Sequence, residues 1–197
     1  MVTPITYTNR KGITYYLCRG STKTGRERHY FAREARGDPV EELPAGFVIS
    51  ESVNGVVSLT RDRPSGIWPT EVALIERTLK RHPQAMMYRI QVKDCQITIY
   101  EACQPDLDSI YRAFGVARAG QGLPAEQVAN RTWRPRYAPV MRFILADPDT
   151  RRFRAQRWCY KGSIDDWIEL YEHHGPLAEL TKTVVPALGT DEFFDLY

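Results

Sequence analysis

Val140–Tyr160, VMRFILADPDTRRFRAQRWCY, is the stretch whose reading decides the fold. Val140–Ala146 is rich in β-branched and large apolar residues, which suits a strand. Asp147-Pro148-Asp149-Thr150 is turn chemistry, because Pro presets φ and Asp bonds to nearby backbone. Arg152–Tyr160 then reads as the strand back. Two strands joined by so short a turn must be antiparallel, since a parallel pair needs a crossover of a dozen residues or more.

The same reading extends outward in both directions. Ile13–Arg19 and Glu27–Arg33 read as strands around Gly20–Gly25, and Phe47–Ser50 and Val56–Thr60 as strands around Asn54-Gly55. Asn-Gly is a strong hairpin signal because both residues tolerate positive φ. Tyr88–Val92 and Gln96–Ala102 form a further alternating pair around Lys93-Asp94. Trp68-Pro69-Thr70 opens a helix, with Thr70 as N-cap, Val72, Leu74, Ile75 and Leu79 as its apolar stripe, and Pro83 beyond its end. Leu107–Phe114 reads as a short helix and Gly115–Arg136 as a loop, with a helical turn over Ala125–Asn130.

Past the deciding hairpin, Ser163 reads as the start of a helix. Asp165 and Asp166 would lie in its first turn, and Trp167, Ile168, Leu170 and Tyr171 on its buried face. Helices follow over Leu177–Val185 and from Thr190, and the apolar terminus Phe193, Phe194, Leu196 and Tyr197 is expected to dock on the core. With no βαβ alternation, the expectation is an α+β protein with antiparallel sheets and a helical C-terminal part. The breaker-rich Arg61–Gly66 divides a basic β-hairpin region, 1–64, from an α+β domain, 67–197, unless the two form one continuous domain.

At 197 residues, 43% hydrophobic and 26% charged, the chain can bury a core without a disulfide or metal. It has no run of about 18 apolar residues and no secretory leader pattern, so no membrane partner and a cytoplasmic location are expected. Cys18, Cys95, Cys103 and Cys159 have neither C-x-x-C nor zinc spacing, and read as free, buried thiols on strands. Walker, dinucleotide-fold and nucleophile-elbow patterns are absent, so no cofactor is expected.

Charge is distributed unevenly. Residues 1–36 carry eight basic and two acidic groups, 131–161 nine and two, and 162–197 one and eight. Lys11, Arg19, Lys23, Arg26 and Arg28 surround the first hairpin, with Tyr30 placed to stack on a base. Arg152 and Arg154 project from one face of a strand, and arginine suits bidentate phosphate contact. The alternative is that these arginines pair with the acidic segment that follows, within the chain or across a homodimer.

Two further clusters are legible. Gln91-Val92-Lys93 is similar to the E-x-K half of the PD-(D/E)xK nuclease motif with Gln in place of the acid, and Asp62, Glu71 or Glu76 would have to supply a metal ligand. Asp166, Glu169 and His173 would share a helix face, a pattern that reads as a solvated acidic surface rather than a metal site.

Several short motifs carry a resemblance. They are Asn9-Arg10-Lys11-Gly12 before Tyr15-Tyr16, Thr22-Lys23-Thr24-Gly25, Pro44-x-Gly46-Phe47 and Asn54-Gly55-Val56-Val57. Tyr137-x-Pro139-Val140-Met141-Arg142-Phe143 and Phe193-Phe194-Asp195-Leu196 complete the set. On these the chain resembles a group of uncharacterised bacterial proteins, a resemblance that implies no activity. The first hairpin alone resembles the three-stranded arm-type DNA-binding domains of phage integrases.

The sequence thus points to a non-enzymatic binding protein for an anionic partner, nucleic acid above all, through two basic hairpins. The alternatives are a protein-interaction subunit and a metal-dependent nuclease.

Overall fold

The computed structural model describes residues 4–34, 38–103, 135–161, 164–170 and 174–196. The short helix, the loop and the helical turn expected between 107 and 134 lie outside the described residues, as do Tyr171 and His173.

The chain is α+β. Its main sheet is built from β7 Tyr88–Lys93, β8 Gln96–Ala102, β9 Tyr137–Asp147, β10 Arg152–Lys161 and β11 Ile164–Glu169. These strands are antiparallel and lie in the order β11-β10-β9-β8-β7. A two-residue strand, β12 Gly175–Pro176, also pairs with β10. The deciding hairpin therefore forms as read. Its turn is held by the Asp147 carboxylate, which accepts the backbone N–H groups of Asp149 and Thr150 and the Thr150 hydroxyl.

One face of this sheet carries Ile97, Ile99, Met141, Phe143, Phe153 and Ala155, all nearly inaccessible to water. Against it pack α1 Pro69–Lys80, through Ile75 and Leu79, and α2 Leu177–Val184, through Leu177, Leu180 and Val184. The last helix, α3 Glu192–Asp195, adds Phe193 to the core, while Phe194 remains exposed. The core cluster begins at Ile67 and holds no earlier residue among those described.

The expected helix from Ser163 is a strand instead. Glu169, Trp167 and Asp166 lie opposite Gln156, Trp158 and Cys159 of β10, running antiparallel to it. The Leu170 N–H extends the ladder to the Ala155 carbonyl at 2.9 Å. The segment IDDWIEL fits a period of two as well as a helical face, and the open edge of β10 selects the strand. On a strand, Asp166 and Glu169 project from opposite faces, so the shared acidic helix face does not exist.

The N-cap of α1 is Trp68 rather than Thr70, with Pro69 at the first helical position, where its fixed φ is preorganised. The Glu71 carboxylate accepts the Trp68 N–H at 2.7 Å. It also receives the Arg151 guanidinium in a two-pronged contact. Arg151, in the left-handed region at φ 52°, further donates to the Gly66 carbonyl at 3.1 Å and stacks over the Trp68 ring at 4.0 Å. One side chain thereby joins the β9–β10 turn to the start of α1.

The first third of the chain forms two smaller sheets. In the first, β1 Thr6–Thr8 and β4 Asp38–Pro39 share one edge of β2 Thr14–Ser21, and β3 Glu27–Ala32 takes the other. The second is the hairpin of β5 Phe47–Glu51 and β6 Val57–Arg61, which lies beside β3. Three of the turns here are built alike. In Asn9–Ile13, Thr22–Arg26 and Ser52–Val56 the first and last residues are joined by a backbone hydrogen bond. The fourth is a glycine with φ of 72–77°, and the first side chain accepts the last residue's N–H at 3.0–3.1 Å. Only Gly55 of the Asn54-Gly55 pair takes positive φ, so this is a turn closed by a glycine bulge rather than a two-residue turn. Among the described residues no helix is long and apolar enough to cross a membrane.

The Arg151–Glu71 contact generates a test. Both side chains are largely buried, so Arg151→Ala leaves an uncompensated carboxylate and is expected to cost about 3 kcal/mol in urea unfolding. Arg151→Lys should recover little, because an ammonium lacks the two-pronged fork. A double-mutant cycle with Glu71→Ala should give a coupling of about 1 kcal/mol or more.

Candidate nucleic-acid interface

The tip of the β2–β3 hairpin presents Lys23 and Arg26, both exposed, with no side-chain partner among the described residues. The repeated turn fixes their backbone, so the charges stand on a defined scaffold rather than a floppy loop. Arg28 lies over the Tyr30 ring at 5.1 Å. That ring crosses Gly20, where an added Cβ would meet its edge at 3.1 Å. Tyr30 is half-buried in this contact, so its ring is only partly open to a base. Arg19 reaches Asp38 at 3.8 Å, both side chains being largely in solvent, a contact worth little. The Lys11 stem passes over Gly55, close enough that a Cβ there would sit 3.2 Å from it.

The second arginine block is used differently. Arg152 donates to the His174 carbonyl at 2.6 Å. Arg154 pairs with Glu169 at 3.1 Å. That same carboxylate oxygen accepts the Gln156 amide at 2.6 Å, and Gln156 in turn accepts from Arg142 at 2.7 Å. Arg142 lies 4.2 Å over Trp167, whose ring meets Trp158 edge to face. Burial and the neighbouring Arg154 weaken the hold of Arg142 on its proton, and Glu169 opposes them. Arg157 is buried on the core face, with Phe194 at 5.5 Å. Of this block, Arg142, Arg152, Arg154 and Arg157 are thus engaged on the outer and inner faces of the sheet, and Arg151 at the start of α1.

Other cations gather in a cleft elsewhere. A cleft of about 430 Å³ opens between the β5–β6 hairpin and the β7–β8 turn. Arg61, Arg63 and Lys93 line it, with Asp62, Asp94 and Gln91. The run Arg61-Asp62-Arg63 reads in sequence as a connector, and only the placement of the end of β6 across a cleft from β7 turns it into a wall. Of the carboxylates named for a nuclease, Asp62 shares the cleft with Lys93. Glu71 is held by Arg151, and Glu76 lies exposed on α1 outside the cleft. Among the described residues no three His, Cys, Asp or Glu side chains are grouped to hold a metal ion. All four cysteines are free. Cys18 and Cys159 are buried as expected, whereas Cys95 and Cys103 are exposed, Cys95 in the β7–β8 turn and Cys103 just beyond β8.

The pieces are tied together by polar contacts. Glu51 of β5 accepts the Arg10 N–H at 3.0 Å, the Arg10 guanidinium at 2.8 Å and the Tyr7 hydroxyl at 3.0 Å. The Asn9 amide donates to the Gly55 carbonyl. The Asn54 amide in turn holds both the N–H and the carbonyl of Tyr137, where β9 begins.

No family model matches the chain, and neither a curated protein nor a solved structure does.

Glu51 makes this junction acid-sensitive. Burial alone would raise its pKa, but the Arg10 N–H, the Arg10 guanidinium and the Tyr7 hydroxyl outweigh it and hold it below the usual glutamate value. A depressed carboxyl contributes stability that is complete above its unfolded value and is lost as pH falls through the folded one. Urea unfolding across acidic pH should therefore show Glu51→Gln with a flatter pH dependence and a neutral-pH stability lower by about 1–3 kcal/mol. An unchanged slope would detach Glu51 from the acid response.

Proposed function

We propose that the protein binds nucleic acid, without acting on it, through the basic tip of the β2–β3 hairpin and the neighbouring basic wall of β6. The carrying observation is the tip itself. Lys23 and Arg26 are exposed, have no side-chain partner among the described residues, and sit on a turn fixed by its own hydrogen bonds. Arg28 and Arg19 flank them, and the exposed Arg61 and Arg63 lie at and just beyond the end of β6, a strand in contact with β3. Arg and Lys so placed suit phosphate oxygens, which fix position rather than read sequence.

Arg152 and Arg154 are left out of this interface because their guanidinium groups already serve His174 and Glu169. The Arg154–Glu169 pair favours a second reading, a protein-interaction subunit in which the basic and acidic blocks neutralise each other.

Fluorescence anisotropy with labelled single- and double-stranded DNA and RNA, over a salt series, separates the two. Lys23→Glu with Arg26→Glu is expected to weaken binding at low salt and to reduce the log–log salt slope by about 1.8 on duplex DNA, about 0.9 for each phosphate no longer neutralised. Arg152→Ala is expected to leave both unchanged. Wild-type affinity in the doubly reversed variant would overturn the interface, and no binding by the wild-type chain would leave the protein-interaction reading. Strand cleavage in Mg²⁺ or Mn²⁺ would replace simple binding by a nuclease acting near Lys93.

A further inference from the structure

The cleft between the β5–β6 hairpin and the β7–β8 turn has chemistry beyond a general attraction for anions. Its cations come from two separate segments, Arg61 and Arg63 from the end of β6 and the residues just beyond it, and Lys93 from β7. All three are exposed and none has a side-chain partner among the described residues. Asp62 and Asp94 line the same cleft, yet neither pairs with these cations. A surface in which opposite charges face one space without closing on each other leaves all of them available to a ligand.

The walls are held in place. The Ser65 hydroxyl donates to the Asp94 carbonyl at 3.1 Å and accepts the Ile67 N–H at 3.1 Å. The Gly66 N–H donates to the same Asp94 carbonyl at 3.1 Å, and the Asp62 N–H donates to the Gly46 carbonyl at 2.8 Å. Asp94 itself sits in the left-handed region at φ 52°, which turns its side chain at the tight β7–β8 corner. The volume, about 430 Å³, lies within the range of small-ligand clefts, roughly 300–1,000 Å³.

We propose that this cleft binds a nucleoside phosphate monoester, either free or as the phosphorylated end of a strand held by the hairpin tip. Two guanidinium groups and an ammonium suit the terminal phosphate, which carries more charge and more free oxygens than an internal diester. Asp62 and Asp94 accept hydrogen bonds from sugar hydroxyl or base amino groups, donors that inorganic phosphate lacks. The strand-end form rests on the nucleic-acid reading above, whereas the free-nucleotide form stands without it.

The test uses the full chain and amide NMR shifts, with inorganic phosphate, adenosine 5′-monophosphate and adenosine as probes. The monophosphate is expected to shift residues 61–63 and 91–94 and to bind about tenfold tighter than adenosine. Arg63→Ala and Lys93→Ala, both at exposed positions, should each weaken it by about the same factor. Lys23→Glu with Arg26→Glu should leave it unchanged. In anisotropy, a 5′-phosphorylated oligonucleotide should bind more tightly than its 5′-hydroxyl counterpart, and Lys93→Ala should remove the difference. Equal binding of adenosine and its monophosphate, or no shift in the cleft at millimolar ligand, would overturn the proposal. So would shifts at Asp62 and Asp94 produced by Mg²⁺ alone, with no response to phosphate. Wild-type oligonucleotide affinity in the tip variant, with the nucleotide still bound in the cleft, would instead overturn only the interface.

Discussion

The double ladder of β9 is the constraint on which the rest of the structure depends. It pairs with β8 on one side and β10 on the other, so its inner residues Met141 and Phe143 meet neighbours from both strands and are fully buried. α1 and α2 are placed by the apolar face that results. Arg151 reaches Glu71 from the turn that ends β9, and Asn54 grips the backbone of Tyr137 where β9 starts. Both ends of one strand therefore anchor something that lies far away in sequence.

On the outer face of the same sheet, several cations of a strongly basic stretch are engaged within the protein. Strand alternation sends Arg152, Arg154 and Gln156 outward, and β11 brings Glu169 opposite Gln156 in register. A pair of charges in partial burial is a matter of fit as much as of attraction, because each loses water on approach. Here a single carboxylate oxygen takes both Arg154 and Gln156, and Gln156 passes the connection on to Arg142 and so to the Trp167 ring. The arginines are structural links between strands. Among the described residues Lys23 and Arg26 at the β2–β3 tip and Arg61 at the end of β6 have no such employment, and that difference supports the proposed interface.

Much of the architecture was legible residue by residue. Turn chemistry at Gly25, Gly55 and Asp147 marked hairpins that all form, because glycine at positive φ and an Asx carboxylate act over four or five residues and need no distant partner. The stripe of α1 was equally clear, since a period near 3.6 over twelve residues is a strong local signal. The segment 164–169 was not, because its apolar residues suit both periods and the choice lay with β10. The cleft was illegible for a related reason: Arg61-Asp62-Arg63 and Lys93 are about thirty residues apart and face one cleft only in the folded chain.

The sequence by itself determined the class, α+β with antiparallel hairpins, and the position of the exposed charges at the β2–β3 tip, since those follow from interactions within a few residues. Tertiary structure alone decided which arginines are free. Availability depends on whether a carboxylate or carbonyl from another segment arrives within hydrogen-bond distance, as Glu169 and His174 do for Arg154 and Arg152 and as no described side chain does for Lys23, Arg26 or Arg61. That is a property of register and packing, and charge counted along a chain does not contain it.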